Sequence, residues 1–251
     1  MGAERGGSAA LGGEWSRALA EGSSLAGQAH GTLRAKVIRK PDGWPIDRFA
    51  VIERAWAGET VVCVAGGPSV TEEGVNYVKG KARVIAVNNS YLIAPWADVL
   101  YFADARWWEW HKGKKEFQDF PGQKVTIENT GMLIRDEQLF MLHNFGSEAL
   151  SEEQNGVNTG CNGGYQALGI AYLTGAKKII LLGYDMRFPN GRAHWHPDHP
   201  TSVPEGHYTG YARKFKTALP QLKAAGVEVI NCSLGSAIDA FPIMPLQDAL
   251  Q

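Results

Sequence analysis

The feature that most constrains the fold is a repeated alternation of short β-branched runs with longer amphipathic stretches. Six runs are predicted strands, at 60–65, 83–88, 98–103, 124–128, 177–183 and 227–231. Helices are predicted between most of them, at 71–78, 105–117, 162–174 and 208–225. Strands of nearly continuous Val, Ile and Leu must be buried on both faces, which is typical of a mainly parallel sheet with helices on both sides. We therefore expect a Rossmann-like α/β fold.

The first residues of the chain differ in composition from the rest. Residues 1–45 open with a stretch rich in Gly, Ala and Ser and are predicted to form a flexible arm, whereas residues 46–251 are predicted to form one domain. A helix is expected at 46–56, because the apolar residues there recur at helical spacing, namely Ile46, Phe49, Ile52 and Trp56. The polar segment 143–160 is expected to be a loop.

Composition excludes several classes of protein. With 25 Lys and Arg against 26 Asp and Glu, the net charge is -1, so no global field draws the chain to nucleic acid or to an anionic membrane. No apolar run approaches the roughly 20 residues of a membrane helix, and we expect a cytoplasmic protein with no membrane span. Three cysteines without CxxC spacing indicate reduced thiols, with Cys63 and Cys232 buried in or beside strands.

Ligands of such folds bind beyond the carboxyl ends of the strands, so the strand tips are where a site is expected. The first predicted strand is followed by Gly66, Gly67 and Ser69 and then by a helix. Glycines allow close approach of backbone N–H groups to an anion, and a helix N-terminus favours negative charge, which together suit a phosphate. A tight turn with Ser69 or Thr71 as helix cap is an equally good interpretation.

The next two predicted strands end in Asn88 and Asp104. An asparagine amide can contact a nucleobase or ribose edge, and Asp104 can accept from a sugar hydroxyl, but both residue types also cap turns and helices. The segment 106–115 combines tryptophans with lysines and arginine. It could bind an acceptor, even nucleic acid, although an aromatic core face with solvated lysines is the simpler interpretation.

A second glycine-rich loop spans residues 158–164, contains Thr159 and Gly160, and leads into a helix. It presents several N–H groups toward one point, and two such loops favour a nucleotide ligand over either loop alone. Asp185 closes the longest apolar strand, where it either contacts a ligand or anchors the following loop through a hydrogen bond.

The long segment 186–206 holds a cluster of histidines whose spacing matches no known zinc motif, so we expect a lid over the site and no metal. His207 lies where this segment meets the next helix. A histidine beside a cleft can act as a general base near neutral pH, although a lone histidine is more often structural.

In their order along the chain, these motifs resemble the bacterial sialyltransferases that use CMP-sialic acid, and the wider group of 6-hydroxymethylpterin diphosphokinase-like proteins. The phrases VIAVNNSYLIAPWADVLYFAD and IILLGYDM, the latter followed by HWHPDHP, also resemble phage and prophage proteins described as norphogenetic. The sialyltransferase resemblance implies a nucleotide held by Gly67, Ser69, Asn88 and the Thr159-Gly160 pair. It also implies that His207, within HYTG, is the catalytic base. Gly66 and Asp104 depart from the family, which has asparagines there.

The sequence as a whole therefore predicts a metal-independent glycosyltransferase of the nucleotide-binding type. Its nucleotide-sugar donor would be CMP- or UDP-linked, with Gly66, Asp104 and Asp185 completing the site, and its acceptor would be a hydroxyl of a glycan or of a modified nucleic acid. The protein would act in the cytoplasm, of a host cell if phage-encoded, and a homo-oligomer is compatible with the sequence. The alternatives are a pterin-type diphosphokinase using ATP and magnesium, and a phage binding or assembly protein without catalysis.

Overall fold

The computed structural model describes residues 33–37, 48–128, 136, 138–197 and 203–251. Its strands are β1 (Leu33–Val37), β2 (Arg48–Ile52), β3 (Thr60–Val64), β4 (Arg83–Val87), β5 (Val99–Tyr101), β6 (Gln123–Ile127), β7 (Leu139–Asn144), β8 (Gly156–Val157), β9 (Lys178–Leu182) and β10 (Glu228–Asn231). Its α-helices are α1 (Glu72–Val78), α2 (Ala105–His111), α3 (Lys115–Gln118), α4 (Gly163–Leu173), α5 (Glu205–Lys214), α6 (Leu219–Ala224) and α7 (Leu246–Ala249). Short 3₁₀ segments lie at Asn88–Leu92, Pro189–Gly191 and Phe215–Ala218.

Eight strands form one parallel sheet in the order β10-β9-β3-β4-β5-β6-β7-β8, which confirms the predicted α/β class. The chain runs outward from β3 to β8 and then returns through α4 to β9, on the other side of β3. The strand order therefore reverses between β3 and β9. In open α/β sheets a crevice forms at such a switch point, outside the carboxyl ends of the strands.

Both faces of the sheet are buried, as the continuous apolar runs indicate. In β3, Val61 and Cys63 belong to one core cluster, and Val62 and Val64 belong to the other. Residues of α4 pack in the first cluster, and residues of α1 and α2 pack in the second. Cys63 and Cys232 are buried thiols as predicted, while Cys161 is exposed.

The helix expected at 46–56 is wrong. Arg48–Ile52 is strand β2, which pairs antiparallel with β1, and the rest of residues 1–45 lies outside the described part of the chain. Phe49 stacks on the ring of His143 at 3.5 Å between centroids, and the Ile52 N–H donates to the Gln154 carbonyl at 2.6 Å. The four apolar residues at 46–56 have helical spacing, but pairing with β1 and packing against the sheet edge favour a strand instead.

The loop expected at 143–160 contains the end of β7 and all of β8. Alternation cannot reveal these strands, because their polar residues are buried by partners distant in sequence. His143, for example, lies between the ring of Phe49 and the carboxylate of Glu128, 3.4 Å away. The helix expected at 105–117 is also interrupted, because the chain forms the two short helices α2 and α3.

Candidate functional site

The carboxyl edge of the sheet brings together the loop after β3 (residues 66–69, the β3 loop) and the loop before α4 (residues 158–164, the α4 loop). A side chain at Gly164 would meet the ring of Tyr184 beyond β9 at 2.8 Å. One at Gly163 would lie 3.3 Å from Val87, the last residue of β4, and 3.9 Å from the amide nitrogen of Asn88. The start of α4 is therefore packed against the tips of β4 and β9, with both loops at one crevice.

The β3 loop is held tightly to the end of β9. The Gly67 N–H donates to the Gly183 carbonyl at 2.9 Å, and a Cβ at Gly67 would collide with that carbonyl and with the Asp185 carboxylate. Ser69 donates to Asp185 Oδ2 through its hydroxyl at 2.8 Å and through its N–H at 3.4 Å. Glycine is therefore required at position 67 by packing against β9.

Asp185 is the buried anchor of this loop. Its side chain is almost fully covered, and burial raises the pKa of the carboxyl group, although the two hydrogen bonds from Ser69 and the charge of Arg187 oppose the rise. This geometry matches the anchoring interpretation of Asp185. The Ser69 hydroxyl proton and Asp185 Oδ2 are therefore committed to each other in this conformation.

The α4 loop has the opposite character. Asn162 caps the helix, because its side-chain oxygen accepts from the Tyr165 N–H at 2.8 Å, and its amide nitrogen donates to the Gly160 carbonyl at 2.9 Å. Within the described ranges, the N–H groups of Gly163 and Gly164 have no acceptor. They stand at the positive end of an 11-residue helix, with Gly163 half-buried beside Asn88 and Gly164 buried beside Tyr184.

Other polar groups around the α4 loop are also unsatisfied. Asn158 donates through its amide nitrogen to the carbonyls of Glu148 at 2.8 Å and Ala149 at 3.3 Å, but its buried side-chain oxygen has no partner among the described residues. Asn88 has a left-handed backbone, φ 51°, and its side chain makes no hydrogen bond to any part of the chain that the structure describes. Thr159 accepts from the Cys161 N–H at 3.4 Å.

Asp104 performs the capping role that the sequence left open. Its carboxylate accepts from the Arg106 N–H at 2.8 Å, at the start of α2, and forms an ion pair with the Arg106 guanidinium at 3.1 Å. The tryptophans that follow belong to the core, since Trp107, Trp108 and His111 are all buried. The simpler interpretation of segment 106–115, an aromatic core face, is therefore the one the structure shows.

The histidine-rich segment lies directly on the β3 loop. The Trp195 N–H donates to the Gly66 carbonyl at 3.1 Å, and the rings of His194 and His196 stack with centroids 5.2 Å apart. Asp198 and His199 lie outside the described residues. Among the residues that the structure does describe, no group of three or more His, Cys, Asp or Glu side chains could hold a metal ion.

His207 is exposed in the first turn of α5. That turn is tied to the chain just beyond β9, because the Phe188 N–H donates to Glu205 Oε1 at 3.2 Å and the ring of Tyr208 packs edge-on against Phe188 at 4.7 Å. His207 is therefore attached to the same edge of the sheet as the two loops. Its role as a base stays a prediction.

Tyr184 is a part of the site that sequence reasoning missed. It is fully buried, its hydroxyl donates to the Gly164 carbonyl at 3.0 Å, and its N–H donates to the Ser233 hydroxyl at 2.6 Å. The residue thus joins α4, β9 and the segment after β10. The available signal was its position between Gly183 and Asp185, at the end of the longest apolar run.

No family model and no curated protein matches the chain. Among solved structures, it is similar to the sialyltransferase CstII from Campylobacter jejuni in complex with a substrate analogue, cytidine-5'-monophosphate, with 12% sequence identity and a TM-score of 0.47. The match covers 76% of this chain and 86% of that chain. At this level the likeness assigns no ligand and no reaction to this protein. In the described part of the chain, no helix is long and apolar enough to cross a membrane.

Proposed function

We propose that the crevice binds the phosphate of a nucleotide and that the protein transfers a sugar from a nucleotide-sugar donor to a hydroxyl acceptor. The observation that carries the proposal is the pair of N–H groups without acceptors, at Gly163 and Gly164, where α4 begins at the switch point. Donors in this position bind an anion without a cationic side chain, because the helix itself supplies a partial positive charge.

The surroundings of these donors favour an anion as well. The N–H of Gly66, on the β3 loop, also has no acceptor among the described residues. Asp185, the carboxylate next to that loop just beyond β9, is buried and accepts a hydrogen bond from Ser69. Asn88 offers an uncommitted amide beside Gly163, which suits a ribose or phosphate oxygen.

Two observations favour sugar transfer over nucleotide binding alone. They are the HYTG sequence at residues 207–210 and the attachment of this segment, through Phe188, to the chain just beyond β9. In this proposal Gly66, Gly67, Asn88 and the Thr159-Gly160 pair surround the donor, while His207 removes the proton of the acceptor hydroxyl. Asp104, Ser69 and Asp185 hold the surrounding loops and helix in place.

Calorimetric titration of the full chain with CMP, UDP and ATP tests the binding step. Binding of CMP or UDP that survives chelation of divalent metal is the expected result. Binding of ATP alone, and only with magnesium, would favour a diphosphokinase, and no binding of any of the three would favour a protein without nucleotide chemistry.

The variant His207→Ala tests the transfer step. A general base contributes about 10²–10⁴-fold to rate, so turnover should fall by that factor while nucleotide affinity changes less than about threefold. The melting temperature should not move, because His207 is exposed. Arg213→Ala, also exposed on α5, is the matched control and should keep the wild-type rate. Unchanged turnover in His207→Ala would remove the base assignment.

A further inference from the structure

A chain of hydrogen bonds beneath the crevice has a fixed direction. The indole N–H of Trp107 lies 2.6 Å from the side-chain oxygen of Asn89, and both residues are buried. An indole nitrogen can only donate. The Asn89 amide must therefore direct its oxygen toward Trp107 and its NH₂ group away from it.

The direction continues into the histidine segment. The Asn89 amide nitrogen lies 3.3 Å from Nδ1 of His196. Since an NH₂ group donates and does not accept, Nδ1 must be the acceptor and carry no proton. A neutral imidazole has one proton, so in neutral His196 it resides on Nε2.

Nε2 of His196 is at the mouth of the β3 loop. It lies 3.9 Å from the point that a Cβ at Gly66 would occupy, and Nδ1 of His194 lies 3.3 Å from the same point. The backbone between the two histidines is attached there by the hydrogen bond from the Trp195 N–H to the Gly66 carbonyl, at 3.1 Å. The two rings are nearly parallel, with an interplanar angle of 6°.

The donor at the start of this chain is rigidly held. The ring of Trp107 stacks on His111 with centroids 4.0 Å apart and an angle of 10°, and His111 is bonded through Nδ1 to the Tyr91 hydroxyl at 2.8 Å. All three residues are buried. Rotation of the indole away from Asn89 would disrupt this stack, so the orientation of the amide is maintained.

We propose that the Trp107–Asn89 pair locks the neutral form of His196 in the Nε2–H tautomer, in which its Nε2–H donates to an anionic oxygen at the β3 loop. In this state Nε2 can act neither as a base nor as a metal ligand, because its lone pair is part of the aromatic system. Trp107 and Asn89 are positioning residues in this scheme. The assignment of a phosphate oxygen as the acceptor rests on the proposed function, whereas the tautomer does not.

The ¹⁵N–¹H long-range correlation spectrum of the ligand-free protein, labelled on its histidines, tests the tautomer directly. The expected spectrum shows a protonated Nε2 and an unprotonated Nδ1 for His196, assigned by its loss in His196→Gln. The isosteric variant Asn89→Asp replaces the NH₂ donor with an acceptor. It should move the proton of neutral His196 to Nδ1, with Trp107 still donating to the carboxylate. An unprotonated Nε2 in the wild-type protein would overturn the proposal.

Binding of CMP tests the acceptor, at a pH where the spectra show His196 to be neutral in both proteins. Asn89→Asp should weaken binding about tenfold or more, since a donor is replaced by a lone pair and a carboxylate is added. Trp107→Phe retains the stacking ring but frees the amide to flip, and should give a mixture of tautomers with an intermediate affinity. Equal affinity in all three proteins would overturn the role of His196. Failure of the wild-type protein to bind CMP, UDP or ATP would instead contradict the proposed function and the assignment of phosphate as the acceptor. The tautomer of His196 would still be decided by the spectrum.

Discussion

The two glycine-rich loops at the switch point look alike in sequence but differ in how their polar groups are used. In the β3 loop, the Gly67 N–H is bonded to Gly183, and Ser69 is bonded to Asp185. In the α4 loop, two helix N–H groups and the side-chain oxygen of Asn158 have no partner in the described part of the chain. The first loop is fastened to the fold at Gly67 and Ser69 and keeps one open N–H, at Gly66, whereas the second has two adjacent open donors for a ligand.

The difference shows that glycine can occupy a position beside a strand tip for two distinct physical reasons. Gly67 is required because β9 and Asp185 occupy the space of a side chain, whereas the neighbouring Gly66 meets only the ends of two histidine side chains. Gly163 and Gly164 begin helix α4, and their value to a ligand is an N–H without an acceptor among the described residues. Motif matching cannot separate these cases, because the same residue type satisfies both.

The largest effect on stability is expected from Gly67→Ala. The added methyl group overlaps a backbone carbonyl and a buried carboxylate, neither of which can move freely. The free energy of unfolding should therefore fall by about 2 kcal/mol or more. Gly66→Ala should cost less than about 1 kcal/mol, because the contact at 3.3 Å is with the His194 side chain. Urea denaturation of both variants checks the contrast.

Gly210→Ala is the control for this pair. Gly210 lies in α5 with nothing within 4 Å of the added methyl group, so the variant should be stabilised by up to about 1 kcal/mol through helix propensity. Equal losses at Gly66 and Gly67 would mean that the β3 loop is not fastened to β9 as the structure shows.

Substitutions at Asn162 test the anion site of the α4 loop, because they can change the helix cap and the charge at the helix N-terminus independently. Asn162→Ala removes the bond to the Tyr165 N–H and should cost about 1 kcal/mol of stability. Asn162→Asp keeps the cap and adds a negative charge at the helix N-terminus, which offsets the lost bond to the Gly160 carbonyl, so stability should stay within about 0.5 kcal/mol of wild type. Nucleotide affinity should nevertheless fall in Asn162→Asp, because the new charge repels a phosphate. Denaturation and CMP titration of the two variants measure these effects, and tighter CMP binding by Asn162→Asp would contradict an anion site.

A smaller effect is expected from the pH dependence of the anchor. Because burial raises the pKa of Asp185 in the folded protein, the unfolded chain loses this proton at lower pH than the folded one. The contribution of Asp185 to stability therefore decreases as pH rises from the ordinary carboxyl range through the raised pKa, and is constant above it. Asp185→Asn can still accept from Ser69 and removes this loss. Its stability relative to wild type should be more favourable at about pH 7 than at about pH 3, and a difference of the opposite sign would mean that the carboxylate is stabilised in its charged form.

Sequence patterns predicted those parts of the fold that are governed by local composition. The six apolar strands and the helix α4 are where the periodicity places them, since both faces of the sheet are buried. The strands β1, β2, β7 and β8 were missed: β1 lies in the segment predicted to be an arm and pairs with β2, and the burial of β2 and β7 depends on distant partners, as with the Phe49–His143 stack. A single sequence carries no local signal for such pairs.

The candidate site divides in the same way. Asn88, Asp185 and the two loops were predicted as site elements from their positions relative to the predicted strands and helices. The structure brings them to one edge of the sheet. The direction of a hydrogen bond, such as that from Trp107 to Asn89, depends on side-chain packing between residues 18 positions apart. It is therefore visible only once the chain is folded.

The central claim is that a nucleotide phosphate binds the open donors of the α4 loop, and backbone amide chemical shifts measure this directly. Addition of CMP to the ¹⁵N-labelled full chain, with divalent metal chelated, should move the amide resonances of Gly163 and Gly164 most strongly, with Gly66 next. The resonance of Gly67 should move least among these glycines, because its N–H is already bonded to Gly183. Unchanged resonances of Gly163 and Gly164 at saturating CMP, UDP and ATP would contradict the account.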